Sequence, residues 1–259
     1  MNNHQYHIVN YSPWPILTSV SMFSITTGSV LWMHSLNMKV MIIGMITLVL
    51  SSIQWWRDII RESTFQGMHN KKVAIMMKWG MMLFILSEVL FFTSFFWSFF
   101  HMSLAPNIEL GMMWPPMGIK SLNPMNIPLL NTIILLTSGM TITWAHHNIL
   151  MKNFSKTYMS MLMTIMLGMY FTMIQMYEYI ELSFSISDSA FGSTFFLMTG
   201  FHGIHVIIGT MFITNSLMRM NKLHFSKNHM VGFEAAAWYW HFVDIVWIIL
   251  YISVYWWGM

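Results

Sequence analysis

The chain has 259 residues, of which 56% are hydrophobic and only 8% charged, and its mean hydropathy is +0.57; a soluble domain carries roughly 25% charged residues. Its formal charge of +3 and pI near 9.1 do not signal nucleic-acid binding, because the few cations stand singly or in pairs between apolar runs and form no basic stripe. The absence of cysteine excludes disulfides, thiolate-ligated zinc and any copper site that needs a Cys bridge.

Several continuous apolar runs reach the ~20 residues that cross a ~30 Å hydrocarbon core, and they do not alternate every second residue, so helices are expected and a barrel is not. The first ten residues, MNNHQYHIVN, contain no Lys or Arg and read neither as a secretory signal nor as an Arg-rich transit peptide. Seven transmembrane helices are predicted, at about 14–35, 39–60, 73–104, 127–150, 157–180, 190–219 and 232–257, in one polytopic membrane domain spanning 1–259. Pro13 and Pro15 start the first span, "LAPN" ends the third, and "WPPMGIKSLNPMNIP" is too rich in proline for a helix before the fourth.

Seven spans put Arg57, Arg61, Lys71, Lys72, Lys78, Lys152, Lys156, Arg219, Lys222 and Lys227 on the side of the N-terminus, and only Lys39 and Lys120 opposite. The positive-inside rule then predicts the N-terminus inside and the C-terminus outside. Glu109, Glu178, Glu181 and Asp188 fall on the outer side.

The second span exits through "QWWRDIIREST", with Arg57 and Arg61 four apart and Asp58 and Glu62 four apart. Trp55 and Trp56 mark the interface, where basic residues either set topology and pair internally or hold lipid phosphates. Arg219 and His224, at the inner end of the sixth span, suit the same kind of site.

Glu88 lies ~15 residues into the third span, ~22 Å at ~1.5 Å per residue, hence near mid-membrane. Burying it disfavours the charged form, so it must face protein or water and find a partner. It is either a neutral group in a structural hydrogen bond or a protonatable site that takes part in proton movement. His202 and His205 in "TGFHGIHVIIG" are spaced so that both imidazoles can reach one metal. No carboxylate or cysteine is near in sequence to complete such a site, which makes hydrogen bonding to Glu88 the better reading. His146 and His147 diverge by ~100° and read as interfacial anchors. In the last span, Glu234, Trp238, His241 and Asp244 fall within an arc of roughly 120°, a polar face expected to point into the bundle or toward a partner subunit, although Glu234 taken alone reads rather as an interfacial residue at the inner boundary. No nucleophile elbow, phosphate loop or dinucleotide fingerprint occurs.

The segments "SPWP", "QWWRDIIRESTFQG", "SEVLFFTSFFWSFFHMSLAP", "LNTIILLTSGMTITWAHH", "GSTFFLMTGFHGIHVIIG" and "GFEAAAWYWHFVDIVW" resemble, in order and spacing, the cytochrome c oxidase subunit III family of mitochondria, over essentially the whole chain. The resemblance implies a multi-pass subunit of the haem-copper terminal oxidase in the mitochondrial inner membrane. Its first two helices would be separated from a five-helix bundle by a cleft filled with phospholipids. It implies that haem and copper reside on subunits I and II, that no metal or catalytic centre belongs to this chain, and that its main partner is subunit I, with subunit II, accessory subunits and membrane lipids around it. Trp56, Arg61, Glu62, Arg219 and His224 match the family's lipid contacts, and Glu88 its intramembrane glutamate. The chain would stabilise subunit I and sustain its proton uptake. Met112, Met113, Met230 and Ala236 depart from the family's usual residues. The competing readings are subunit III of a quinol oxidase and a free-standing proton channel or transporter; against the last, the paired broken helices of many transporters are missing.

Overall fold

Prolines, asparagines and one serine mark the starts of five helices. The computed structural model describes residues 6–108, 111–226 and 229–258; Glu109 and Lys227, which enter the charge pattern above, lie outside the described residues. Seven helices follow one another: α1 Trp14–Ser35, α2 Lys39–Thr64, α3 Lys71–Leu104, α4 Ile127–Leu150, α5 Phe154–Glu181, α6 Ala190–Asn221 and α7 Val231–Leu250. All seven are long and apolar enough to cross a membrane. The last continues as a π-helix over Tyr251–Trp257. Among the described residues the β structure amounts to one isolated bridge, Ser226 to His229.

Proline occupies the first turn of α1 and α4, where a missing N–H costs nothing. Asn153 and Ser189 cap α5 and α6 by accepting from the amides of Lys156 and Gly192. Helix α5 starts three residues and α6 ends two residues beyond the expected bounds, and two further ends differ for local reasons. Helix α3 starts at Lys71 because the Asn70 side chain accepts from the Val73 amide at 2.9 Å. Helix α2 runs on to Thr64 because its polar exit pairs with itself: Asp58 lies 3.3 Å from Arg57 and 3.8 Å from Arg61.

The chain divides into two compact units, Met1–Met76 and Met77–Met259. In the first, α1 buries only Ser21 and Gly28, and α2 only Gly44 and Ser51. Small residues seven apart on each helix let the two backbones close on each other, because lipid offers no hydrophobic drive for association and packing must supply it. A Cβ at Gly28 would collide with the backbone of Met41. The Trp14 indole donates to Asp58 Oδ2 at 2.7 Å and holds the start of α1 beside the end of α2, so the hairpin is antiparallel.

In the second unit the core lies among α4 to α7. Trp240 and Trp247 are almost fully buried, with Ile142, Phe171, Val206, Ile213 and Leu250 around them. Buried hydroxyls are satisfied within their own helices: Thr157 donates to Asn153 O, Ser160 to Lys156 O and Thr164 to Ser160 O. The Trp240 indole donates to Ser138 Oγ at 2.9 Å. Methionines such as Met140, Met163, Met166, Met173, Met176 and Met211 face outward, the reverse of a soluble protein and the arrangement expected when lipid is the solvent.

Gly28→Val places a branched side chain against the Met41 backbone, and overpacking of this kind typically costs ~1–3 kcal/mol. Thermal denaturation of the assembled protein in detergent should show the α1–α2 hairpin becoming sensitive to protease at lower temperature, with helix content below the transition unchanged.

Candidate functional site

Glu88 on α3 meets His205 on α6, with Oε2 and Nε2 2.9 Å apart. Both side chains are largely enclosed, at 22% and 10% exposure. The other ring nitrogen of His205 faces the Phe201 carbonyl at 2.6 Å. A carbonyl oxygen only accepts, so Nδ1 carries a hydrogen and donates it. The Nε2 to Oε2 contact therefore holds one proton: either a protonated Glu88 donates to a neutral ring, or an imidazolium donates to a carboxylate. The pair is net neutral in both forms, which is what a low-dielectric site requires. Rings surround it: Phe92 lies 5.1 Å from the imidazole, Phe242 and Tyr239 6.2 Å each.

Of the two histidines expected beside Glu88, the structure joins His205 and directs His202 elsewhere. His202 donates from Nε2 to the Val243 carbonyl at 3.2 Å and packs between Phe171 and Trp247. Residues three apart on a helix diverge by about 60°, enough to aim His205 at α3 and His202 at α7. The two imidazoles thus serve different partners and do not converge.

The polar residues of α7 also separate. Glu234 forms an ion pair with Lys78 of α3 at 2.6 Å. His241 Nδ1 lies 3.8 Å from Asp244 Oδ2, and Trp238 and His241 line a groove of about 380 Å³ with Ile85, Val89, Phe92 and Thr93. Asp244 is buried against α4, where a Cβ on Gly139 would lie 2.7 Å from Oδ2. One sequence arc therefore meets α3 at its start and α4 further along.

Glu178, placed by the charge pattern among the acids of the outer side, is fully buried. Tyr255, in the π-helix, donates to its Oε1 at 2.6 Å, while Oε2 has no hydrogen-bond partner among the described residues. Gln175, one turn earlier, accepts from Asn131 of α4 at 3.4 Å. The available signal was Gln175 and Glu178 three apart on one face of an apolar span; their partners lie 44 and 77 residues away.

The residues expected at lipid headgroups fall in both units. In the first, Trp56 and Arg61 face outward, Arg61 lies at the edge of the Asp58 cluster, and Glu62 accepts from His7 Nε2 at 3.2 Å. In the second, the Arg219 guanidinium stands 4.7 Å over the Phe225 ring and its buried Nε has no hydrogen-bond partner among the described residues. His224 follows in the connection after α6. Burial, and then the charges of Arg219 and Lys222, lower its proton affinity below that of an ordinary histidine. His147 faces outward, and His146 packs 5.9 Å from Phe233.

Seven apolar helices, with buried acids bonded to a histidine or a tyrosine, define a multi-pass membrane protein. The family model described as cytochrome c oxidase subunit III matches residues 4–259. Cytochrome c oxidase subunit 3 of Locusta migratoria is 60% identical over 257 residues, covering 99% of this chain and 98% of the relative. The proteins of that name from Drosophila melanogaster and Loxodonta africana are 58% identical over 257 residues and 54% over 255, covering 99% and 98% of this chain and 98% of each relative. The chain belongs to the cytochrome c oxidase subunit III family.

Two outcomes follow from the geometry. Glu88→Gln keeps a donor facing His205 Nε2, so assembly persists and stability changes by less than ~1 kcal/mol. Glu88→Ala leaves that nitrogen buried without its partner and costs ~1–3 kcal/mol; thermal denaturation of the two variants measures the gap. Arg219→Gln removes one of the cations that disfavour protonation of His224. The pH midpoint for modification of His224 by diethyl pyrocarbonate, followed by peptide mass spectrometry, should therefore move upward.

Proposed function

We propose that this chain is a non-redox core subunit of the terminal respiratory oxidase that passes electrons from cytochrome c to oxygen while pumping protons. As a member of its family it is a multi-pass subunit of the oxidase in the mitochondrial inner membrane. Its work is to stabilise the catalytic subunit I, to support proton uptake there and to bind structural phospholipids. Haem and copper belong to subunits I and II, and subunit II and the accessory subunits are further neighbours. The observation that carries this reading is the family match along nearly the whole chain.

The physical features agree with a supporting role. The best-positioned acid, Glu88, is bonded to His205 inside the second unit. A group that exchanges one proton with a neighbour at constant net charge suits proton handling beside a catalytic subunit. The same bond holds α3 to α6. The cation distribution supports an N-terminus in the matrix and a C-terminus in the intermembrane space. Lipid phosphate is met separately in each unit, by Trp56 and Arg61 on α2 and by Arg219 and His224 at the end of α6. The Arg219 Nε without a hydrogen-bond partner among the described residues supports this assignment.

Mild-detergent purification from the native membrane tests the proposal. The chain should co-purify with haem-bearing oxidase subunits and with stoichiometric phospholipid, identified by mass spectrometry and an optical haem spectrum, and the complex should oxidise cytochrome c. Recovery of the chain as a free protein that moves protons in vesicles, or of a complex that accepts electrons only from a quinol, would overturn it.

A further inference from the structure

We propose that His7, Glu62 and His69 form a binding site for a divalent transition-metal ion, zinc being the ion their donor set fits best. The site goes beyond the function proposed above, which assigns this chain no metal. All three residues lie in the first unit: His7 in the segment ahead of α1, Glu62 in the last turn of α2, and His69 in the connection between α2 and α3. The antiparallel hairpin brings them to one end, where Trp14 and Asp58 already fasten α1 to α2.

One ligand atom from each residue falls within 4.8 Å of the other two, and His7 Nε2 is 3.2 Å from Glu62 Oε2. Ligands on a tetrahedral zinc with bonds of ~2.0–2.1 Å stand about 3.4 Å apart. The cluster is thus within side-chain adjustment of a coordination shell. The His7 and His69 rings meet edge to face, centroids 4.9 Å apart and planes at 80°, which lets two imidazoles crowd together without stacking.

The chemistry of the donors selects the ion. Two imidazole nitrogens and one carboxylate suit zinc and its first-row neighbours. Calcium and magnesium take oxygen ligands, and copper(I) favours thiolates and thioethers. Asp58, one turn before Glu62, is held by Trp14, Arg57 and Arg61, so Glu62 is the carboxylate open to the histidines. The partial burial of His7 and Glu62, at 18% and 15% exposure, shields the cluster while leaving a path to solvent. A bound ion would tie the N-terminal segment to the α2–α3 connection, and would occupy Glu62 while leaving Trp56 and Arg61 to lipid.

The test uses the intact oxidase complex, stripped with a chelator and titrated with Zn²⁺, with diethyl pyrocarbonate modification of each histidine read by peptide mass spectrometry. Micromolar Zn²⁺ should protect His7 and His69 together, about tenfold and with one shared midpoint, as expected for ligands of one ion. Outward-facing His147 is the internal control, and Mg²⁺ or added phospholipid should give no such protection. His7→Gln should abolish the effect at His69, and His69→Gln the effect at His7, while the chain stays in the complex. If a variant fails to assemble, the wild-type titration decides alone. Protection at separate midpoints, only at millimolar Zn²⁺, or equally by phospholipid would overturn the site.

Discussion

A buried carboxylate in a hydrocarbon solvent must be matched by a hydrogen-bonding partner inside the protein, and this chain meets that demand at Glu88 through His205. The Phe201 carbonyl fixes a hydrogen on Nδ1 of the ring, the Nε2–Oε2 contact holds one proton, and the bond spans α3 and α6. Breaking a buried pair by removing one partner is far more costly than never having built it. The geometry of the helix that carries Glu88 is therefore tied to a proton count as well as to packing.

Two styles of helix association coexist in the sequence. Helices α1 and α2 meet backbone to backbone over Ser21, Gly28, Gly44 and Ser51. Helix α3 joins the rest of its unit through long side chains: Lys78 to Glu234, Glu88 to His205, Phe92 against His205 and Phe242. Dispersion over small residues needs close approach and nothing else. Attachment by charge and aromatic contact tolerates distance and leaves grooves, such as the one beside Trp238 and His241.

Much of this was legible in the residues. Long apolar runs bounded by prolines specify seven helices because in lipid the backbone has few other ways to satisfy itself. Glu88 stood out as the acid in the middle of an apolar span, and its histidine was among the two named candidates. The identity of the partner was not readable, since His202 and His205 differ by only about 60° of helix rotation and either could turn inward. The Glu178–Tyr255 bond and the His7–Glu62–His69 cluster were missed for another reason. Glu178 stands 77 residues from Tyr255 and His7 55 from Glu62, and knowing which helix ends share a membrane face does not say which side chains meet there.

The π-helix at Tyr251–Trp257 gives the C-terminal segment a sensitivity to length. Its wider turn absorbs more residues per revolution than an α-helix does, and in this register Tyr255 reaches Glu178 and Tyr251 reaches the Pro124 carbonyl. Winding the same number of residues as an α-helix, with its fewer residues per turn, would swing the phenol away by most of a right angle. Glu178 would then be left with no partner in a fully buried setting. A one-residue insertion that keeps the π winding, harmless at most exposed chain ends, would likewise turn Tyr255 from Glu178, whereas a one-residue deletion with a return to α winding would keep the two facing.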